Sequence, residues 1–137
     1  MDARDTPATG QPRRRSDVEL RLPADSAYVS LLRTAASGLA ARLDFTIDDI
    51  EDLRMAVSEA CALVLLKADA GSDLVTDFYL EPGTITATVS VAAADPEPTE
   101  LDSWAWQVLT ALTADAAETT ADGRFTVTLT MHSAVDL

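Results

Sequence analysis

Apolar residues recur with two different periods along this chain, and the switches between them outline its elements. Val18, Leu20 and Leu22 alternate with polar neighbours until Pro23, which predicts a half-buried strand over about Asp17 to Leu22. Asp25 or Ser26 can then cap a helix reaching Asp44, because Val29, Leu32, Ala36, Leu39 and Leu43 return every three or four residues. Thr46 caps a second helix whose first turns carry Asp48, Asp49, Glu51 and Asp52, where the helix dipole favours carboxylates. That helix continues through Leu53, Met55, Val57, Ala60, Cys61, Val64 and Leu65 to about Ala68. Its second half is apolar nearly all round, the pattern of a central, buried helix.

Two runs rich in β-branched and aromatic residues, Leu74 to Leu80 and Thr84 to Val91, flank Pro82-Gly83, a hairpin signal. Asp95-Pro96-Glu97-Pro98 interrupts regular structure, and Asp102 or Ser103 caps a third helix predicted from Trp104 to about Ala117. Its apolar set is Trp104, Ala105, Val108, Leu109 and Leu112. After Asp122-Gly123, the residues Phe125, Val127, Leu129 and Met131 alternate as a last strand. The order β-α-α-β-β-α-β implies an α+β domain, a two-layer α/β sandwich with one sheet of about four strands covered on one face by three helices.

Composition narrows the function. With 137 residues, 47% of them hydrophobic and 24% charged, the chain can build one core and is too apolar to stay disordered. No apolar run is long enough for a membrane span. The first fifteen residues, with Pro7, Gly10, Pro12 and Arg13-Arg14-Arg15, read as a disordered tail with no apolar signal segment, and residues 134–137 as a second tail. The domain is therefore expected over 16–133, in the cytoplasm. The net charge is −13; without the four Arg and two Asp of the first tail, six basic residues face 21 acidic ones, a net −15. Such a body repels a phosphate backbone and favours a basic partner. Cys61, the single cysteine, is expected as a buried small hydrophobe, and His132 has no ligand partners in sequence, so no metal site is expected.

Within the apolar stretch Leu53 to Leu66 the charged residues are Arg54 and Glu59. A buried, unpaired carboxylate is costly, so Glu59 is either an edge residue held by Arg54 or Arg33, or a group facing a cavity, where partial desolvation would suit a general base. Trp104 and Trp106 are two residues apart, about 200° around a helix, so one of them should be partly exposed, either as an interaction anchor or as filling for a cavity.

The segment Ala35 to Cys61, and above all Ala56-Val57-Ser58-Glu59-Ala60-Cys61, resembles the first two helices of the bacterial RsbW-type anti-sigma factor kinases, members of the histidine-kinase-like (GHKL) ATPase superfamily. The element order is similar to a shortened form of that Bergerat-type fold, over roughly 16 to 133 and most strongly over 29 to 68. The resemblance implies that Glu59 stands where the family's Glu activates the attacking hydroxyl, and Leu63 where its Asn holds the magnesium bridging the ATP phosphates. An aliphatic side chain offers Mg²⁺ no oxygen. The family's adenine-reading Asp and its glycines fall near Val91 to Asp95, or Asp95 to Thr99 in the slipped register, where no glycine occurs. The family's phosphate loop falls on Asp102-Ser103-Trp104-Ala105-Trp106, where two indoles and a carboxylate oppose phosphates. Arg33 matches a first-helix Arg that family members use against a sigma factor and an anti-anti-sigma protein; a plain surface or intradomain ion pair is the other reading.

Together these imply a binding module of the anti-sigma class that contacts a sigma factor, an anti-anti-sigma (STAS-type) protein, or both. Arg33, Trp104 and Trp106 are its partner-binding candidates, Glu59 is a relic base, and Leu63 and Asp95 mark degenerate nucleotide positions. ATP and Mg²⁺ belong to the rival expectation, an active kinase that phosphorylates an anti-anti-sigma partner. A homodimer, or a heterodimer with a paralogue, is a further expectation.

Overall fold

A computed structural model describes residues 14–100 and 102–134. Strand β1 (Val18–Pro23) leads into a 3-10 turn, Ser26–Tyr28, and helix α1 (Val29–Arg42). Asp25 accepts the Ala27 N–H at 2.9 Å, so the expected cap starts the 3-10 turn that runs into α1. Asp44, at φ 62°, turns the chain over. Helix α2 (Ile47–Lys67) begins where expected, with the Thr46 hydroxyl accepting the Asp49 N–H at 3.1 Å. Strands β2 (Asp73–Glu81) and β3 (Thr84–Ala92) form a hairpin through Pro82-Gly83, with Gly83 at φ 73°. Pro followed by a residue at positive φ is the chemistry of a type II turn.

The expected four-strand order needs correction beyond this point. Helix α3 (Trp104–Leu112) stops five residues early, and Asp115–Ala121 is a strand, β4, that hairpins through Asp122-Gly123 into β5 (Arg124–His132). The alanine-rich run 111–117 has helical propensity, but a two-residue turn with both φ values positive lets it fill the open edge of β5 instead. The observed sheet has five antiparallel strands in the order β1-β2-β3-β5-β4. It remains a two-layer α+β sandwich, with the helices on one face.

Strand alternation places Leu74, Phe78, Ile85, Ala87, Val89, Val91, Phe125, Val127, Leu129 and Met131 in the core. Against them pack Leu32, Ala36 and Ala40 of α1, a run from Leu53 to Val64 of α2, and Leu109 of α3. Thr76 faces this core fully buried, and its hydroxyl has no hydrogen-bond partner among the described residues. Cys61 is buried as expected, and burial pushes its thiol up to about 12.

Two further expectations change. The second half of α2 is not buried all round: Leu66 is 82% exposed and Ala62 is exposed too, because a helix in a single layer over a sheet keeps one side toward solvent. In α3, Trp106 packs against the core while Trp104 is 75% exposed, so the expected division between the two indoles holds with Trp104 as the outer one.

Residues 1–13 and 135–137, most of the two expected tails, lie outside the described residues. Arg14 itself lies on the body: it donates to Asp17 at 2.7 Å and to the Leu80 carbonyl at 2.9 Å, and its guanidinium lies 5.7 Å from the Tyr79 ring. Among the described residues no helix is long and apolar enough to cross a membrane.

Candidate functional site

Helices α1 and α2 are antiparallel neighbours joined by four residues, and each carries an arginine followed four residues later by a serine. The spacing puts each pair on one helical face. Arg33 donates across the helix pair to the Ser58 hydroxyl at 3.2 Å, and Arg54 donates back to the Ser37 hydroxyl at 3.2 Å. Each serine in turn donates along its own helix, Ser37 to the Arg33 carbonyl at 2.8 Å and Ser58 to the Arg54 carbonyl at 3.0 Å. The result is a closed lattice of four side chains with approximate twofold symmetry. The repeated Arg-x-x-x-Ser spacing was readable in the sequence, but its significance appears only once the helices lie side by side.

The lattice settles the question of what holds Glu59. Neither arginine does: Arg33 bonds to Ser58, and Arg54 reaches Ser37 and, at 4.0 Å, Glu51. Among the described residues Glu59 makes no hydrogen bond or ion pair. It is half-buried on the outer margin of α2, between exposed Met55 and Ala62. Arg33 likewise has no carboxylate partner among the described residues, so the expected ion pair is absent and a neutral hydroxyl takes its place.

On the other flank of α2 lies a groove of about 250 Å³ lined by Leu63, Leu66, Lys67, Glu97, Pro98, Thr99, Glu100 and Ser103. Leu63 is only 4% exposed and belongs to the core as much as to the groove floor. Glu59 and Asp95 are not among the lining residues, and Asp95 is exposed. Sequence reasoning missed three features of this groove. Lys67 is one; its ammonium lies 5.8 Å from the Phe125 ring. The carboxylates of Glu97 and Glu100 are another. The third is a latch, in which the Thr99 backbone N–H donates to both Glu118 carboxylate oxygens at 3.3 and 3.4 Å and its hydroxyl donates at 3.0 Å. Glu118 lies on β4, a strand the sequence reading did not predict, so the latch had no sequence signal.

At the start of α3, the Ser103 hydroxyl accepts the Trp106 N–H at 3.2 Å and the Ser103 carbonyl accepts the Gln107 N–H at 3.0 Å. The second is the ordinary first bond of the helix, so one of the N–H groups that could cradle an anion at this helix end, that of Trp106, is engaged. No group of three or more His, Cys, Asp or Glu among the described residues is arranged to hold a metal ion.

This geometry can be set beside known proteins. No family model matches the chain. The serine-protein kinase RsbW of Bacillus velezensis is 52% identical over 44 residues, 32% of this chain and 28% of that protein. RsbW of Halalkalibacterium halodurans is 44% identical over 64 residues, 46% of this chain and 40% of that protein. The chain is an RsbW relative. Its fold agrees: a crystal structure of the RsbU and RsbW domains of a Mycobacterium tuberculosis protein superposes with a TM-score of 0.68 at 20% identity, covering 85% of this chain and 31% of that one. The matched segments span 28% and 40% of the two RsbW kinases, so the likeness to them is one of part of their length.

Proposed function

We propose that this RsbW relative is a cytoplasmic protein-binding regulator of the anti-sigma class, which associates with a sigma factor or a STAS-type anti-anti-sigma protein and makes no productive use of ATP. The observation that carries this reading is Leu63, packed in the core at the position where a magnesium-bound nucleotide would need an oxygen ligand. Three surrounding features support it. Glu97 and Glu100 place two carboxylates on the groove wall, the Ser103 hydroxyl occupies the Trp106 N–H at the α3 terminus, and no glycine lies between Asp95 and Trp106. The donor set does not fit Mg-ATP. In this reading Glu59 is a relic, Asp95 is a vacated adenine position, and Arg33, Trp104 and Trp106 serve partner binding. The folded unit is 16–133, and a homodimer or a pairing with a paralogue is part of the proposal.

Calorimetric titration with Mg-ATP and Mg-ADP, together with a phosphotransfer assay on a STAS-type protein, tests it. The expected result is no saturable heat and no transfer, while capture of the chain from its own cells brings down a sigma factor or a STAS protein. Saturable micromolar nucleotide binding would overturn the reading in favour of an active serine-protein kinase. One observation favours that rival: Glu59 is free of any ion pair among the described residues, as a base would have to be.

A further inference from the structure

The groove beside α2 has a volume of about 250 Å³, short of the roughly 300–1,000 Å³ that encloses a whole small molecule, so its size suits one or two side chains of a peptide. Glu97 and Glu100 on its wall are both exposed, and among the described residues neither forms an ion pair. Lys67 is the one cation among the lining residues, and its ammonium lies 5.8 Å from the Phe125 ring, not against either glutamate. Leu66, which lines the groove, is 82% exposed, and Trp104, next in the chain after Ser103 of the lining, is 75% exposed. Large apolar groups left in water beside a groove are typical anchors for a partner. The wall is also set in place before anything binds. Thr99, between Pro98 and Glu100, is bonded to Glu118 of β4 through its N–H and its hydroxyl, and the Glu100 carbonyl accepts the Ser103 N–H at 3.0 Å. Such preorganisation spares a partner the entropy of ordering this segment.

We infer that this groove is a docking site for a partner-protein segment that carries an arginine or lysine next to a large apolar side chain. The cationic head meets Glu97 and Glu100, its aliphatic stem lies along Leu66 and Pro98, and the apolar neighbour packs on Trp104. Charge decides the class of occupant. Two carboxylates against one lysine, in a body of net −15, repel a phosphate or an acidic peptide and attract a basic one both at long range and at contact. The docking site rests on the protein-binding reading above, to which it adds Leu66, Glu97 and Glu100 and the sign of the docked segment.

A photo-crosslinking residue at Ala62, which is exposed one turn before Leu66 on α2, tests it in the full chain in its own cells, with a probe at exposed Asp48 near the other end of that helix as the control. The expected crosslink maps, by mass spectrometry, to a segment with an Arg or Lys beside a large apolar side chain. Its yield falls about tenfold in the double variant Glu97→Gln/Glu100→Gln and in Leu66→Ser, while both variants keep the parent melting temperature because all three positions are exposed. The same segment, made as a synthetic peptide, binds the parent chain in calorimetry and loses affinity as salt is added. No crosslink above the Asp48 control, an acidic segment, a segment of this chain, a yield indifferent to the two glutamines, or an affinity indifferent to salt would each overturn the docking site. A basic segment from a protein that is neither a sigma factor nor a STAS protein would sustain the groove and sink the anti-sigma assignment. A sigma factor or STAS protein crosslinked from Asp48 alone would do the reverse.

Discussion

The claim that Leu63 belongs to the core, and not to a ligand shell, makes a sharp prediction for Leu63→Asn. Leu63 is 4% exposed and packs with its α2 neighbours Ala60 and Val64 in the central cluster. Removing a buried leucine side chain forfeits about 2 kcal/mol of apolar burial. An amide in its place adds about 1 to 3 kcal/mol if its donors find no partner, and the floor of the groove supplies few. The sum, about 3 to 5 kcal/mol, is a large share of the 5–15 kcal/mol that a small domain has in total. Urea unfolding followed by far-UV circular dichroism measures it, with Leu63→Met as a volume-conserving control that should cost less than about 1.5 kcal/mol. Titration of the same variant with Mg-ATP should show no binding, because an oxygen at this position does not remove Glu97 and Glu100. A loss below about 1 kcal/mol for Leu63→Asn would show that the position is wet. Gained nucleotide binding would show that a single side chain separates this chain from an ATP site. Either result refutes the packing argument.

Other substitutions probe neighbouring parts of the same reasoning. Thr76→Val replaces a fully buried, unpartnered hydroxyl by a methyl of the same shape and should stabilise the fold by about 1 kcal/mol; a loss in urea unfolding would mean that the hydroxyl has a partner. Burial raises the Asp77 carboxyl above its ordinary 3.8, the Ser16 hydroxyl bond opposes this, and Glu19 across the strand pair adds to it. A raised carboxyl favours the folded state below pH 3.8 and loses that contribution as pH rises through the folded value. Asp77→Asn should therefore raise stability at pH 7 relative to the parent, with the difference vanishing on acidification below 3.8; a constant difference across pH would contradict it. Glu118→Ala removes the acceptor of the Thr99 latch, so amide exchange at 97–100 should quicken several-fold while β4 and β5 remain protected. Equal exchange in parent and variant would show that the latch does not hold the segment.

Most of the architecture was legible in one dimension because its causes are local. Thr46 and Asp25 announced their caps, Pro82-Gly83 its turn, the β-branched and aromatic runs the strands β2 and β3, and the alternation in β1 and β5 their apolar faces. The family likeness was legible for a related reason, since Ala56 to Cys61 is a contiguous stretch of one helix. The sequence also determined the net charge and the absence of glycine from Asp95 to Trp106. Tertiary structure decided the rest. β4 has alanines that favour helix, and only the open edge of β5 made it a strand, which in turn placed Glu118 under Thr99. What Glu59 lacks and what Arg33 holds depend on how two helices are set side by side, since residues 25 apart share a hydrogen bond by packing and not by any repeat within one turn. The groove beside Leu63 gathers residues from α2, a loop and the start of α3, a set that no spacing along the chain could have named.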